Sequence, residues 1–441
     1  MDKLTITKPD DWHVHLRDGE LLGDALRHTA RQFARAVVMP NLSPPVTTVA
    51  AAKAYAQRIM QACKLLESSE IGHFEPLMTL YLTDNTPPDE IEKAKAAGIV
   101  GVKLYPAGAT TNSAAGVTNI ALCDATLEKM AQIGVPLLVH GEVTSAQIDL
   151  FDREAVFIEE ILHPLRLRHP KLRVVFEHIT TEQAVDYVMN ADTQQLGKIA
   201  ATITAHHLLY NRNAIFQGGI RPHYYCLPVL KREHHRQALL KAATGDSERF
   251  FLGTDSAPHV TRSKEQACGC AGCFTAAQAL ELYAKAFDSV GKLQQLEAFA
   301  SFRGPDFYGL ARNTEQVVLE KKLQEIPNID YVRSFTTPGL STIFVNLKGS
   351  TPPSSVPDSW YQVRKKISDI TITLPQGVVG PFFNDEFGDT YGIIYGFTAD
   401  GFSERELMNH VENVRSALLE IEDVSKIDII GDQDEKVYIE F

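Results

Sequence analysis

The stretch DDWHVHLRDGELLGDALRHTARQFARAVVMPN, residues 10–41, places a helical pattern between two short strand-like runs. DDWHVHL (10–16) and ARAVVMPN (34–41) predict strands, and LLGDALRHTARQF (21–33) predicts the helix between them. Six more strand-like runs follow up to residue 256, again with helical patterns between them. Eight strands that alternate with helices predict an α/β fold, a (β/α)8 TIM barrel. A doubly wound open sheet is the alternative, but the glycine-rich phosphate turn that usually follows its first strand is missing.

Length and composition narrow the class of protein. The chain has 441 residues, which suits a large domain followed by a smaller one. It is 44% hydrophobic and 22% charged, as soluble globular proteins are, and its net charge of -12 argues against a nucleic-acid partner. No apolar run is long enough for a membrane span, and the polar N-terminus does not resemble a secretory signal. We therefore expect a cytoplasmic protein whose six cysteines are thiols or ligands.

The pattern changes after about Asn313, where we place a domain boundary. Residues 1–313 would form the barrel, and residues 314–441 a small α+β region of ferredoxin-like type. In the second region, TEQVVLEKKLQEIPNIDYVRSF (314–335) predicts a helix followed by a strand. Further helices are predicted at 358–370 and 404–422, and further strands at 391–400, 424–432 and 435–441.

Polar residues recur at the ends of the predicted barrel strands, where the active site of such a barrel forms. His13 and His15 are two positions apart on one strand, so both side chains point to the same face and could bind one metal ion. His140 and His178 would add neutral imidazoles, and Asp255 would add a carboxylate. This combination of ligands suits zinc or a similar ion at a catalytic site.

Lys103 is the unusual member of this group, because an ammonium cannot bind a cation. Addition of carbon dioxide to its amine would give a carbamate whose two oxygens could bridge two ions. Each residue also has a simple structural explanation: Asp255 could cap a helix, and Lys103 could pair with an acid. These explanations would all have to coincide at strand ends, so the complete group favours a metal site.

Two other groups of possible ligands are present. CGCAGC contains Cys268, Cys270 and Cys273 at ligand-like spacing, but no second paired-cysteine motif supplies a fourth ligand. We interpret it instead as a glycine-rich loop whose backbone faces a ligand. The pair His206–His207 ends the seventh predicted strand and could line the site, whereas His234–His235 lies in a helical stretch.

Seven motifs together resemble the shorter-chain, bacterial type of dihydroorotase within the amidohydrolase superfamily. The resemblance covers residues 1–313 nearly end to end. The motifs are DWHVHLRDG (11–19), VVMPNL (37–42), GVKLYPAGATTNS (101–113), LLVHGE (137–142), VVFEHIT (174–180), RPHYYCLPVLK (221–231) and LGTDSAPHVTRSKEQACGCAGCF (252–274).

The resemblance implies a barrel of the metal-dependent hydrolase type with two zinc ions. His13 and His15 would hold one ion, His140 and His178 the other, and carboxylated Lys103 would bridge them. Asp255 would complete the coordination of the first ion and carry the proton, while a hydroxide shared by the ions attacks the amide carbonyl. The implied reaction is the reversible closure of N-carbamoyl-L-aspartate to L-dihydroorotate in pyrimidine synthesis, and the implied assembly is a homodimer.

The substrate's carboxylate explains Arg17, since a guanidinium binds a carboxylate through two parallel hydrogen bonds. A loop at ATTNS would close over the substrate as a lid. The remaining substrate contacts that the resemblance implies are Asn41 and His259 at the carboxylate, Leu227, Ala271 and Gly272 at the ring amides, and Thr110 and Thr111 in the lid.

Residues 314–441 resemble part of the periplasmic porter region of resistance–nodulation–division efflux transporters, through IPNIDYVRS (326–334) and PGLS (338–341). The transporter's membrane helices are missing, so no pumping is implied. A gene fusion, a sequence-assembly artefact or a recruited interaction module would explain the combination. Two other functions stay open: a hydantoinase-like cyclic amidase, and a decayed barrel that carries a transporter-derived binding module.

Overall fold

The computed structural model describes residues 3–66, 73–320, 326–337, 340–371, 379–384, 393–422, 424 and 426–431. The chain divides into two compact units, one ending at Leu347 and the other beginning at Lys348. Within the described residues, no helix combines the length and the apolar character that a membrane span requires.

The first unit contains the predicted barrel. Strand β1 (Lys3–Thr7) precedes eight parallel strands that lie side by side in chain order and form a nearly closed barrel. The sheet closes through backbone bonds just beyond the last strand: His15 N donates to Ser256 O (3.1 Å), and Asp255 N donates to His13 O (2.8 Å). The eight strands are β2 (Asp10–Val14), β3 (Arg35–Val38), β4 (Glu75–Tyr81), β5 (Gly101–Leu104), β6 (Leu137–Val139), β7 (Val174–Phe176), β8 (Ile199–Ile203) and β9 (Phe250–Leu252).

Helices cover the outside of the barrel, and the strands are therefore buried on both faces, which explains why they are nearly continuous apolar runs in the sequence. Neighbouring residues of a strand point in opposite directions. Val38 packs in a large cluster with helix residues, whereas Val37 packs in a smaller cluster inside the barrel. Trp12 lies in this inner cluster and stacks on Tyr308 (ring centroids 4.5 Å apart). The helix Arg303–Tyr308 therefore closes one end of the barrel.

The helix predicted at residues 21–33 is present as Glu20–Gln32. The helix Val49–Leu65 begins where Thr48 accepts a hydrogen bond from Ala51 N, and the helix Asp124–Ile133 ends at Gly134, which adopts the left-handed conformation. The described α- and π-helices of the first unit are Glu20–Gln32, Val49–Leu65, Pro88–Ala96, Asp124–Ile133, Arg153–Phe157, Ile158–Leu162, His163–Arg168, Glu182–Met189, Ala205–Leu209, Glu233–Ala243, Thr261–Lys264, Ala279–Asp288, Ala298–Phe302 and Arg303–Tyr308.

The segment after Thr314 corrects one prediction. The sequence predicted a helix there, but residues 316–320 form strand β10 (Gln316–Glu320), which pairs antiparallel with β1. Val317 and Leu319 alternate along β10 and both pack against the barrel core, a period of two that suits a strand. A domain boundary at residue 314 stays a prediction, and β10 lies structurally with the barrel.

The C-terminal region is α+β, as predicted. Strand β11 (Ile329–Thr337) pairs antiparallel with β12 (Leu340–Leu347), and the helices Val356–Ile370 and Glu404–Leu419 follow. The strand predicted at 391–400 is wrong over its described part, because residues 393–400 have no regular structure. The described residues of the strand predicted at 424–432 are irregular as well, and the strand predicted at 435–441 lies outside the described residues.

Candidate active site

The predicted metal ligands converge at the carboxyl ends of the barrel strands. His13 lies near the end of β2, and Lys103 lies within β5. His140, His178 and Asp255 follow β6, β7 and β9 by one to three residues. All of these residues are buried, although their side chains are polar or charged. Five separate strands therefore bring one group of ligand-type side chains into the same small volume.

One part of this group surrounds a single carboxylate oxygen. Oδ1 of Asp255 lies 3.0 Å from Nε2 of His15 and 3.3 Å from Nε2 of His13. The two Nε2 atoms are themselves 3.3 Å apart. The other ring nitrogen of His15, Nδ1, lies 2.9 Å from Oδ1 of Asn41, which orients the ring. Two imidazole nitrogens and one carboxylate oxygen thus face a common point, an arrangement that suits a cation.

The second part lies next to the first. The ring centroid of His178 lies 4.9 Å from that of His13 and equally far from that of His140. Lys103 is fully buried, and its Nζ lies 4.8 Å above the ring of Tyr105. Nδ1 of His178 is buried without a hydrogen-bond partner in the described structure. A buried ring nitrogen without a partner is costly, so this atom is a natural ligand for an ion.

Burial and neighbouring charges shift the pKa values of this group. Burial lowers the pKa of His15 to about 4 and also lowers the pKa of Lys103. Burial acts to lower the pKa of His13 too, but the charge of Glu177, together with the interactions with Asp255 and Glu177, outweighs it and raises that pKa to about 9. Burial acts to raise the pKa of Asp255, yet hydrogen bonds from His13 and His15 hold it well below its usual value.

The backbone of the site is strained at three of the predicted positions. Arg17 (φ 61°), His178 (φ 41°) and Asp255 (φ 46°) all adopt the left-handed conformation that is uncommon for residues other than glycine. Such conformations persist where the surrounding structure enforces them, and they cluster at functional sites. In this protein they occur just beyond strand ends, where the chain turns to direct side chains over the barrel.

A cavity that is partly open to solvent lies beside the metal-type cluster. It is reached by four of the predicted ligands, and seven of the eight predicted substrate contacts line it. The ligands are His15, His140, His178 and Asp255, and the substrate contacts are Arg17, Asn41, Thr110, Thr111, Leu227, Ala271 and Gly272.

The eighth predicted contact, His259, is held beside the cavity. Its Nε2 lies 3.1 Å from a terminal nitrogen of Arg17 and 2.9 Å from Ala271 O. Nε of Arg17 donates to Pro258 O (3.0 Å). Burial, with help from the charge of Arg17, lowers the pKa of His259 to about 4. The side chain is therefore neutral near pH 7, and Arg17 supplies the positive charge at this end of the cavity.

A model of the amidohydrolase family matches residues 9–320. The chain belongs to the amidohydrolase family. A curated dihydroorotase from Cupriavidus taiwanensis is 67% identical over 326 residues, which are 74% of this chain and 92% of that relative. A solved dihydroorotase from Campylobacter jejuni superimposes with a TM-score of 0.64 at 35% identity, over 74% of this chain and 91% of that one. A dihydroorotase from Saccharomyces cerevisiae in complex with 5-fluoroorotic acid has a TM-score of 0.63 at 31% identity, over 70% of this chain and 86% of that one.

A second family model, that of the AcrB/AcrD/AcrF family, matches residues 311–441. The resemblance of this region to transporter sequences is therefore confirmed, as is the resemblance of the barrel to dihydroorotases. The two matches overlap between residues 311 and 320, which include β10.

Sequence reasoning missed two buried carboxylates in the site of this amidohydrolase. Oε2 of Glu177 lies 3.1 Å from Nδ1 of His13 and contacts Nζ of Lys103, and Oε2 of Glu142 lies 2.9 Å from Nε2 of His140. The available signal was their position, since Glu177 directly precedes His178 and Glu142 follows His140 by two residues. Carboxylates that hydrogen-bond a ligand histidine fix its ring and its tautomer.

The other candidate ligands occupy different places. Cys268 is exposed, Cys270 is half-buried and Cys273 is buried, and in the described structure no cluster of ligand atoms includes two of these thiols. His206 and His207 lie in the short helix after β8 and form a buried cluster with Cys226. Both ring nitrogens of His207 are already used, by Thr204 Oγ1 (2.7 Å) and Pro228 O (3.1 Å). His206 differs, because both of its ring nitrogens are buried without a hydrogen-bond partner in the described structure.

Proposed function

We propose that this amidohydrolase is a dihydroorotase, a cyclic amide hydrolase that interconverts N-carbamoyl-L-aspartate and L-dihydroorotate. The observation that carries the proposal is one cavity that joins the His–Asp cluster to Arg17 and Asn41. The cluster suits hydrolysis of an amide, and the guanidinium suits a substrate that bears a carboxylate. The high identity to dihydroorotases, over nearly their whole length, supports the same conclusion.

Metal dependence follows from the family, and we propose two zinc ions as the form it takes. The residues present fit such a centre, because three ligand atoms converge at Asp255 and a buried nitrogen of His178 has no partner in the described structure. His13, His15 and Asp255 would hold one ion, and His140 and His178 the other. When bound, the ions would lower the pKa of water and polarise the amide carbonyl.

Carboxylated Lys103 is the proposed bridge between the two ions. Only a neutral amine reacts with carbon dioxide, and burial lowers the pKa of Lys103 and so favours the neutral form. Because Lys103 lies inside the barrel on β5, a carbamate on its Nζ would be protected from bulk water. The ion pair with Glu177 opposes this reaction, and so Lys103 would have to leave that pair as the carbamate forms.

The chain's own residues would bind the substrate and carry the proton. Arg17 and Asn41, with neutral His259 beside them, would hold the carboxylate at one end of the cavity. Backbone groups at Leu227, Ala271 and Gly272 would contact the ring amides, and Thr110 and Thr111 would close over it. A carboxylate oxygen of Asp255 would accept a proton in hydrolysis and return it in ring closure.

The alternative function is that of a hydantoinase-like amidase, which would act on cyclic amides without a carboxylate. The position of Arg17 in the cavity wall disfavours it, since a half-buried guanidinium without an anionic partner would weaken binding of a neutral ring. The two activities separate in one experiment. If the protein is a dihydroorotase, Arg17→Met should abolish turnover of dihydroorotate. If the protein is instead a hydantoinase, Arg17→Met should still turn over plain hydantoin.

The test of the proposed function is hydrolysis of L-dihydroorotate by the purified full-length protein, followed by ultraviolet absorbance, with zinc measured on the same sample. We expect turnover with about two ions per chain, and loss of both turnover and one or more ions in Lys103→Ala. Lys171→Ala, at an exposed lysine, is the matched control. Bound zinc without turnover of dihydroorotate would reject the assignment, and a protein without zinc or turnover would favour a decayed barrel.

We further propose that residues beyond the barrel contribute nothing to catalysis. A chain that ends at Leu347 keeps β10 on β1 and should retain the full rate, whereas a chain that ends at Asn313 loses this pair and should unfold at a lower temperature. A lower rate in the chain that ends at Leu347 would instead assign a role in catalysis to the transporter-like region. We also propose that the protein forms a homodimer and lies in the cytoplasm, which light scattering and cell fractionation would test.

A further inference from the structure

Lys264 ends the short helix Thr261–Lys264 that follows β9, and only 4% of its surface is exposed. Its Nζ donates to three backbone carbonyls: Gly272 O (2.7 Å), Cys270 O (2.8 Å) and Tyr225 O (3.0 Å). An ammonium has three hydrogens to donate, so every one of them is used. In the described structure no carboxylate lies within ion-pair distance of this charge.

The three carbonyls belong to two separate segments of chain. Tyr225 lies between β8 and β9, and Cys270 and Gly272 lie in the glycine-rich loop after the helix. Gly272 N also donates to Tyr225 O (3.0 Å), so the lysine and a backbone bond join the same two segments. Gly272 has a φ of 145°, and a Cβ there would lie 2.7 Å from Ala257 O, so only glycine fits this junction.

These two segments carry the backbone groups that face the cavity. Leu227 follows Tyr225 by two residues, and Ala271 lies between the two loop carbonyls that Lys264 binds. Leu227, Ala271 and Gly272 line the cavity, but Lys264 does not. The lysine thus supports this wall from behind, through carbonyls whose orientation determines where the neighbouring peptide groups point.

A charge buried among carbonyls alone is an expensive way to hold a loop. Burial lowers the pKa of Lys264, and an apolar side chain could fill the same space without desolvating an ammonium. What the ammonium adds is direction, because three charge-assisted bonds fix three peptide planes at once. Fixed peptide planes matter most where a ligand is recognised by backbone hydrogen bonds.

We propose that Lys264 is a positioning residue that aligns the backbone at Leu227, Ala271 and Gly272 for binding the amide edge of the substrate ring. The inference rests on the proposed function. It predicts that Lys264 acts on substrate affinity and not on the chemical step, since the metal-type cluster lies on other residues.

The test uses the full-length, zinc-loaded protein and the variants Lys264→Met and Lys264→Gln. Methionine keeps the length of the side chain without donors, and glutamine keeps part of the hydrogen bonding. Arg262→Met, at an exposed residue of the same helix, is the matched control. KM and kcat for dihydroorotate, inhibition by orotate, zinc content and the thermal unfolding midpoint are measured for each protein.

We expect Lys264→Met to raise KM and the inhibition constant of orotate about tenfold, equivalent to about 1.4 kcal/mol, with kcat and zinc content within about threefold of the parent. The KM and the inhibition constant of Lys264→Gln should lie between those of the parent and of Lys264→Met, and those of Arg262→Met should match the parent. A folded Lys264→Met with unchanged KM would overturn the proposal. So would a fall in kcat alone, or failure of both variants to fold, which would make the lysine purely structural. An inactive parent protein would reject the proposed function itself, and the inference with it.

Discussion

Oε2 of Glu177 lies 3.1 Å from Nδ1 of His13 and also contacts Nζ of Lys103, so one buried carboxylate joins predicted metal ligands from two strands. The carboxylate lies on the Nδ1 side of the ring of His13, and Nε2 on the other side faces His15 and Asp255. Nδ1 makes no hydrogen bond of good geometry in the described structure, so the carboxylate orients the ring through its charge. An oriented ring loses less freedom on binding a metal than a mobile one does.

Glu177→Gln should weaken zinc binding about 10- to 100-fold, because the amide supports the ring of His13 less well than the carboxylate does. Zinc retained across a series of chelator concentrations measures the effect directly, and circular dichroism checks the fold. Glu160→Gln, at an exposed glutamate, is the control and should retain zinc like the parent. Equal retention by Glu177→Gln would mean that the contact does not orient the ligand.

The predicted lid is tied to the predicted carboxylate site through Asn112. Its Nδ2 donates to Asn41 O, and Asn41 Nδ2 donates to Thr111 O, both at 3.1 Å. Asn112→Gly removes the side-chain bond but tolerates the backbone φ of 56°, so KM should rise about fivefold, which is the effect of one lost hydrogen bond. Asn112→Ala should raise KM equally and also lower the unfolding temperature, because alanine is strained at this φ. If KM is unchanged in both variants, the lid closes without this link.

The pH dependence of catalysis should not reflect His259. Its pKa of about 4 leaves it neutral above about pH 5, so His259→Gln should lower kcat/KM by about tenfold without moving the acid limb of the profile. Because the folded pKa lies below the usual 6.5, the unfolded chain binds more protons between these values. The parent should lose stability as pH falls through that window, and the variant should lose less. An acid limb that shifts in the variant would show that His259 titrates during catalysis.

Packing at the closed end of the barrel should depend on one glycine. A Cβ at Gly304 would collide with the indole of Trp12, so Gly304→Ala should destabilise the protein by about 1–3 kcal/mol or more. Gly23→Ala is the matched control, because nothing lies within 4 Å of its Cβ position and it belongs to a helix. That change should stabilise the protein by about 0.5–1 kcal/mol. Chemical denaturation of both variants measures the difference, and equal stabilities would contradict the collision.

The eight barrel strands and the types of ligand could be read from local sequence. A strand buried on both faces needs a continuous apolar run, and the pair His13–His15 shares a face because side chains alternate along a strand. Placing each polar residue at a strand end then brought the predicted site together, since parallel strands of one barrel end on one rim. These are properties of neighbouring residues, and the sequence alone determined them.

Only the tertiary structure decided which distant groups meet. The helix expected at 316–320 is a strand because β1, more than three hundred residues earlier in the chain, offers it an open edge. Glu177 is marked in the sequence only by its position before His178, and Lys264 carries no local pattern that separates it from ordinary surface charges. Their partners lie on other strands and loops, and closure of the barrel brings them together. A short run of sequence encodes its own periodicity, whereas these contacts arise from the path of the whole chain.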